Sequence, residues 1–476
     1  MQLGVLLSVV LLQLGVHSSN ILIWNPTIGH SHVTFLGNIA DVLTADGHNV
    51  TIFSSELDPH VKTFGNRLPA RTIRYRPPKV DSGDWLKLEM KQMSLWETEP
   101  CVSVCIKWSD FNGIMEQMRK SCKELLDDND TLNMLRESNF DLLYAETFDC
   151  CAPGIAQVLG IKSMVMTSAL GMLPRLYEIA GVSPFPSFMP AMITPYSDDM
   201  TFAERLLNFK TEMDLAQDLR EWDRKFGKVF SDKYPGFPGI RQIYDDKTAL
   251  IMTNVNEFAE TPRPTTNMIQ YVGGATLYEP KPLSKELDEL LDERPSTVLF
   301  SMGSLVQSKD MPAWLKGDII DTFASFPNVT FIWKYEGADK AIFDSHPNIY
   351  VRKWLPQTDL LADSRLTLFV THGGMNSMLE AMILGKPMIV IPLFGDQQLN
   401  SKNIQKRGIG ELIERHHLNR KTFTEALQKT LGNRELSRET AFVASMLKDR
   451  PKQYRESIAR QFFFIHFDMD SEAVIL

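Results

Sequence analysis

The stretch Leu366-Thr367-Leu368-Phe369-Val370-Thr371-His372-Gly373-Gly374-Met375-Asn376-Ser377 changes period in mid-course. Its first half is apolar and β-branched and reads as a buried strand. Two glycines interrupt it, Asn376–Leu384 then reads as a helix, and Met388–Pro392 as the next strand. Strand, glycines and helix in that order bring backbone N–H groups close to an anion. Glycine permits the approach, and the helix N-terminus carries partial positive charge. Asn376 and Ser377 add side-chain donors for a phosphate. Plain helix capping competes with this reading, because Ser377-Met378-Leu379-Glu380 has the form of a capping box.

The flanks extend the pattern. Trp354-Leu355-Pro356-Gln357 offers an aromatic plane and an amide, which can stack on a nucleobase and read its polar edge. Pro392-Leu393-Phe394-Gly395-Asp396-Gln397 ends a strand with a carboxylate and an amide, groups that bond sugar hydroxyls. Readers for base, phosphate and sugar therefore follow one another along Trp354–Gln397.

Further out, Val298–Ser301 and Val329–Trp333 read as strands with a helix near Trp314–Phe323 between them. An earlier unit opens with strand Ile21–Trp24 and a loop from Asn25 to His30. Val33, Leu36, Ile39, Ala40 and Leu43 then recur at helical spacing before Gly47 and strand Val50–Phe53. Leu142–Ala145 and Met164–Thr167 are further buried strands, and the stretch from about Pro174 to Lys233 is helical and rich in Met and Phe. Gly273-Gly274 and Pro280-Lys281-Pro282 mark a linker. The expectation is an α/β protein of two doubly wound, Rossmann-like domains, 20–270 and 296–450, joined by a linker at 271–295 and followed by a tail at 451–476. The domains face one another across a cleft, with ligands beyond the carboxyl ends of the strands.

Composition narrows the partners. Fifty basic against fifty-nine acidic residues give a net charge of −9, which disfavours nucleic acid. Leu3 to Val16, apolar but for Ser8 and Gln13, followed by His17-Ser18-Ser19, reads as a signal peptide over 1–19 that lacks the usual positive start. The expected setting is the secretory pathway, in the endoplasmic reticulum lumen or secreted. Three sequons, beginning at Asn49, Asn129 and Asn328, are candidate glycosylation sites there. The five cysteines, Cys101, Cys105, Cys122, Cys150 and Cys151, have no histidines at metal-ligand spacing, and their pairing is open. No later segment is apolar enough to span a bilayer, so the mature chain is expected to be soluble. Self-association is left open.

Taken in order and spacing, Trp354–Gln397 resembles the signature of the UDP-glycosyltransferase family, through its W-x-P-Q, T-H-G-G-x-N-S-x-x-E, G-x-P and D-Q elements. The resemblance runs from about residue 20 to 460. It implies the GT-B architecture and an inverting, metal-independent enzyme with no cofactor, since the UDP-sugar is a co-substrate. It also implies a small lipophilic acceptor with a hydroxyl. Trp354 would stack on uracil and Gln357 bond its edge; His372, Gly374, Asn376 and Ser377 would hold the diphosphate, Glu380 the ribose, and Asp396 with Gln397 the sugar. Ser301-Met302-Gly303-Ser304 is similar to the family's second diphosphate loop, which adds Ser304. Animal members usually end in a membrane anchor, and none is read here.

Transfer to an alcohol needs a base, and histidine suits that task. The first loop offers His30 and His32; the family's Ser-His pair falls on Ser31-His32, which implies His32 and leaves His30 without a role. The family orients its base with an aspartate whose place here is taken by Glu146, and Asp149 is the alternative partner. A rival reading is an inert UDP-sugar-binding protein disabled by that exchange. A nicotinamide enzyme is disfavoured, because no G-x-G-x-x-G follows either domain's first strand. Glucose and glucuronic acid both remain open as the sugar. Asp128-Asn129-Asp130 and Asp468-Met469-Asp470 look like metal-binding D-x-D elements but read as solvated acids.

Overall fold

The computed structural model describes residues 18–80, 94–97, 111–275, 277–449 and 458. Nearly all of the expected signal peptide, Cys101, Cys105, Asp468-Met469-Asp470 and most of the 451–476 tail lie outside the described residues.

Two fully parallel sheets organise the chain. The first contains β1 (Asn20–Trp24), β2 (Asn49–Ser55), β3 (Arg71–Tyr75), β4 (Leu142–Glu146), β5 (Ser163–Ser168), β6 (Thr248–Thr253) and β7 (Ile269–Tyr271). Its spatial order is β3-β2-β1-β4-β5-β6-β7. The second contains β8 (Ser296–Ser301), β9 (Val329–Lys334), β10 (Ile349–Arg352), β11 (Leu366–Thr371), β12 (Met388–Val390) and β13 (Gly410–Leu412). They lie in the order β10-β9-β8-β11-β12-β13. Each sheet reverses its winding beside its first strand, between β1 and β4 and between β8 and β11. Those are the points where a doubly wound sheet opens a crevice. Helices cover both faces, so the central strands are apolar throughout: Ile21, Leu22 and Ile23 are each fully buried.

The two lobes exchange short pieces. Leu95 and Trp96, which precede most of the first sheet in sequence, are buried in the core of the second, where the Trp96 indole donates to Gln307 O at 3.2 Å. Ile458 returns to the core of the first. The stretch expected as a linker, 271–295, contains a helix, Lys285–Asp292, capped by Ser284. Ser377 does not cap its helix: the helix starts at Met375 behind Gly374, and Ser377 already lies inside it. A disulfide joins Cys122 to Cys151, while Cys150 is a buried thiol beside Arg175. Asp128 caps the helix Asn129–Glu137, accepting from Thr131 N at 3.1 Å and Thr131 Oγ1 at 2.6 Å, which holds its carboxyl below the usual range.

Candidate active site

The crevice beside β1 places the first pair of groups. β1 and β4 are hydrogen-bonded neighbours, so the loop after Trp24 and the end of β4 at Glu146 meet at the same edge. The loop is pinned: Asn25 Nδ2 donates to Val33 O at 3.0 Å, and Thr27 Oγ1 accepts from the amides of Leu57 and Asp58. The helix His30–Ala45 begins directly after Gly29, with no side-chain cap, and His32 sits in its first turn.

His32 Nδ1 lies 2.9 Å from Glu146 Oε2, and Glu146 Oε1 accepts from Ala169 N at 2.8 Å. Glu146 is 1% exposed, so its carboxylate has a fixed orientation. Burial works against a charged His32, but the charge and hydrogen bond of Glu146, helped by the charge of Asp396, raise its pKa above the ordinary value. The carboxylate thus selects Nδ1–H and leaves Nε2 as the ring's other nitrogen. Asp149 is occupied elsewhere. Its oxygens accept from the Trp24 indole at 2.6 Å and from Cys151 N at 2.7 Å, where it holds the start of the helix Cys151–Leu159.

Asp396 comes from the opposite lobe. It is buried, accepts from Asn400 Nδ2 at 2.7 Å, and burial lifts its pKa to about 6. Gln397 spends its oxygen on its own loop, accepting from Leu393 N at 2.9 Å and Phe394 N at 3.1 Å. It thereby shapes the turn that carries Asp396.

The glycine-rich turn after β11 packs against the turn after β8. Gly303 has φ +81°, and a Cβ there would meet His372 Cε1 and Nε2 at 2.7 Å. A Cβ on Gly374 would come within 2.5 Å of His372 Nε2. The imidazole therefore fills the space between the two turns, and only glycine fits on either side. Burial, then the charge of Lys334, lowers the His372 pKa to about 4, so the ring is neutral. Ser304 is exposed at the tip of the β8 turn. Asn376 Oδ1 accepts from Asn254 Nδ2 of the other lobe at 2.6 Å. Gln357 Nε2 donates to Glu380 Oε2 at 2.6 Å and to Ser377 Oγ at 3.1 Å, and Thr358 Oγ1 reaches Glu380 Oε1 at 3.2 Å. Burial raises the Glu380 pKa against those two bonds and the charge of Arg67. Trp354 stands 62% exposed at the same edge.

Two cations were not anticipated. Lys334, 9% exposed at the carboxyl end of β9, donates to Gly303 O at 2.6 Å and to Glu336 Oε1 at 2.8 Å. Its ammonium lies 5.5 Å from the Trp354 ring centroid. Arg67, over the Tyr278 ring at 3.6 Å, lines a pocket between the lobes with Thr34, Asn38, Asn254, Asn376 and Glu380. Neither residue belongs to a spaced motif; the only signal for Lys334 was its place at a predicted strand end.

Residues 19–473 match the family described as UDP-glucoronosyl and UDP-glucosyl transferase. The chain is 29% identical to the putative UDP-glucuronosyltransferase ugt-56 of Caenorhabditis elegans, over 90% of this chain and 82% of that one. It is 26% identical to UDP-glucuronosyltransferase 3A1 of Xenopus laevis, over 91% and 82%. Among solved structures it is similar to Phytolacca americana UGT2 complexed with UDP-2fluoro-glucose and pterostilbene, with a TM-score of 0.63 at 16% identity, over 94% of this chain and 100% of that one. The fold is GT-B. The chain belongs to the UDP-glucoronosyl and UDP-glucosyl transferase family and is a glycosyltransferase that takes its sugar from a UDP-sugar.

Proposed function

We propose that this transferase moves a hexose, glucose or glucuronic acid, onto a hydroxyl of a small lipophilic acceptor by a single inverting displacement with His32 as general base. The observation that carries the reading is the 2.9 Å pair of His32 and buried Glu146, electrostatically coupled to Asp396 across the cleft. His32 Nε2 takes the acceptor proton as the oxygen attacks the anomeric carbon, and Glu146 stabilises the imidazolium that forms. The bond from the anomeric carbon to the phosphate oxygen breaks, and its electron pair leaves with UDP. The start of the helix Met375–Ile383 and the Lys334 ammonium at the end of β9 would take up that charge. Asp396 holds sugar hydroxyls, Trp354 and Gln357 the base, and Glu380 the ribose.

The acceptor class is supported by the plant structure above, whose second ligand is pterostilbene. The Cys122–Cys151 disulfide and the exposed Asn49, Asn129 and Asn328 fit an oxidising, secretory compartment. Among the described residues, no helix is long and apolar enough to cross a membrane.

Turnover of UDP-glucose and UDP-glucuronate over a panel of phenols, with the anomeric proton coupling of the product read by NMR, tests the proposal. A β-linked product, with turnover reduced by roughly 10²–10⁴-fold in His32→Ala, is the expected result. An α-linked product excludes single inversion. UDP binding without turnover on any acceptor supports the inert binder instead.

A further inference from the structure

His30, the residue without a role in the transfer chemistry, opens the helix His30–Ala45 at the rim of the cleft. Its Nδ1 lies 3.3 Å from Thr34 Oγ1, one turn along the same helix, so the ring is anchored on its own lobe. The ring faces Trp354 of the opposite lobe, with centroids 5.2 Å apart and planes at 57°. Among the described residues, His30 supplies the one aromatic ring packed on that indole. Lys334 approaches the same indole, its ammonium 5.5 Å from the centroid. An indole 62% exposed, on a short segment between β10 and the helix Gln357–Ala362, has little else to fix its plane.

We propose that His30 is a positioning residue for the donor nucleotide: from the acceptor lobe it packs on Trp354, sets the indole plane for the base, and ties an occupied nucleotide seat to the closed cleft. This rests on Trp354 being the platform for uracil. The separation and tilt are those of direct aromatic contact, which stabilises a pair beyond the area it buries. Burial, then the Lys334 charge, keeps the imidazole below the ordinary histidine range, against an opposing contribution from Asp58. A neutral ring can lie on an indole without desolvating a cation. His30 and His32 share one helical turn, so the contact that orders the nucleotide platform also steadies the turn that carries the base.

The test is calorimetric titration with UDP, and steady-state kinetics with varied UDP-sugar, on the full chain and on His30→Ala, His30→Phe and Trp354→Ala. Loss of one aromatic contact should weaken UDP binding in His30→Ala by about 3- to 10-fold. The donor KM should rise by a similar factor while kcat falls less, and His30→Phe should recover most of both. Unchanged UDP affinity in His30→Ala alongside a weakened Trp354→Ala overturns the role of His30 and leaves the nucleotide seat standing. Unchanged affinity in Trp354→Ala overturns the seat itself, and the role of His30 with it. A fall in kcat at constant donor KM also contradicts the proposal. A purely structural His30 would lower the melting temperature of His30→Ala without moving the Kd of the folded protein.

Discussion

With Glu146 2.9 Å from its Nδ1, His32 holds its proton to a higher pH than a free imidazole. A general base works deprotonated, so kcat should rise with pH and reach half its plateau above the ordinary histidine value of about 6.5. Glu146→Gln removes the charge that raises the pKa and leaves the burial that lowers it. The acidic limb should therefore move to lower pH while the plateau rate falls, because the imidazolium loses its counter-charge. A pH–rate profile of the two proteins checks both signs. Lys334→Met should weaken UDP by about 10-fold or more, the scale of a charged hydrogen bond, and change uridine affinity much less. Competitive binding of the two ligands separates the effects. At this scale the sequence was legible where a residue belonged to a spaced motif. Trp354, Gln357, Ser377 and Glu380 form a hydrogen-bonded or adjoining group that their order along the chain announced. Lys334 and Arg67 were not legible, since parallel strands and a distant loop, not spacing, bring them to the cleft.

Elements shape the turns proposed to hold the diphosphate. The turns after β8 and β11 close on His372, and both depend on glycine. Gly303→Ala forces a left-handed φ on a residue with a Cβ and drives that carbon to 2.7 Å from the imidazole. The strain alone costs about 1–3 kcal/mol. The expected outcome is a lower unfolding midpoint and a loss of UDP affinity larger than the loss of stability accounts for, measured by denaturant titration and calorimetry. The long apolar strands β1, β4, β8 and β11 were readable because burial on both faces leaves a continuous apolar run. β3, β6, β7, β10 and β13 were not read; the last three are only three or four residues long, and β3 carries two arginines in its five residues. Ser377-Met378-Leu379-Glu380 looked like a capping box because local spacing cannot show that Gln357 and Thr358 claim those side chains.

Across the whole molecule the lobes meet through apolar packing, with Val255 and Ala259 buried in a core shared with the second lobe, and through polar groups. Asn254 meets Asn376 at 2.6 Å, Thr261 meets Asn403 at 3.2 Å, and Arg407 donates to Glu260 O at 2.8 Å. Lys406 pairs with Asp198 close by. A nucleotide bound between the lobes would add contacts to both. The two-sheet plan was visible in sequence as two alternating strand–helix series, but the swapped pieces at Leu95-Trp96 and Ile458 were not, since a core position carries no label of the sheet it joins. The cleft is proposed to be a UDP seat built on Trp354. Isothermal titration of the protein with UDP, repeated on Trp354→Ala, tests it most directly. One saturable site is expected, weakened by about 5-fold or more in the variant, the scale of a lost base–aromatic stack. No UDP binding by the unmodified protein, or equal binding by both, would contradict it.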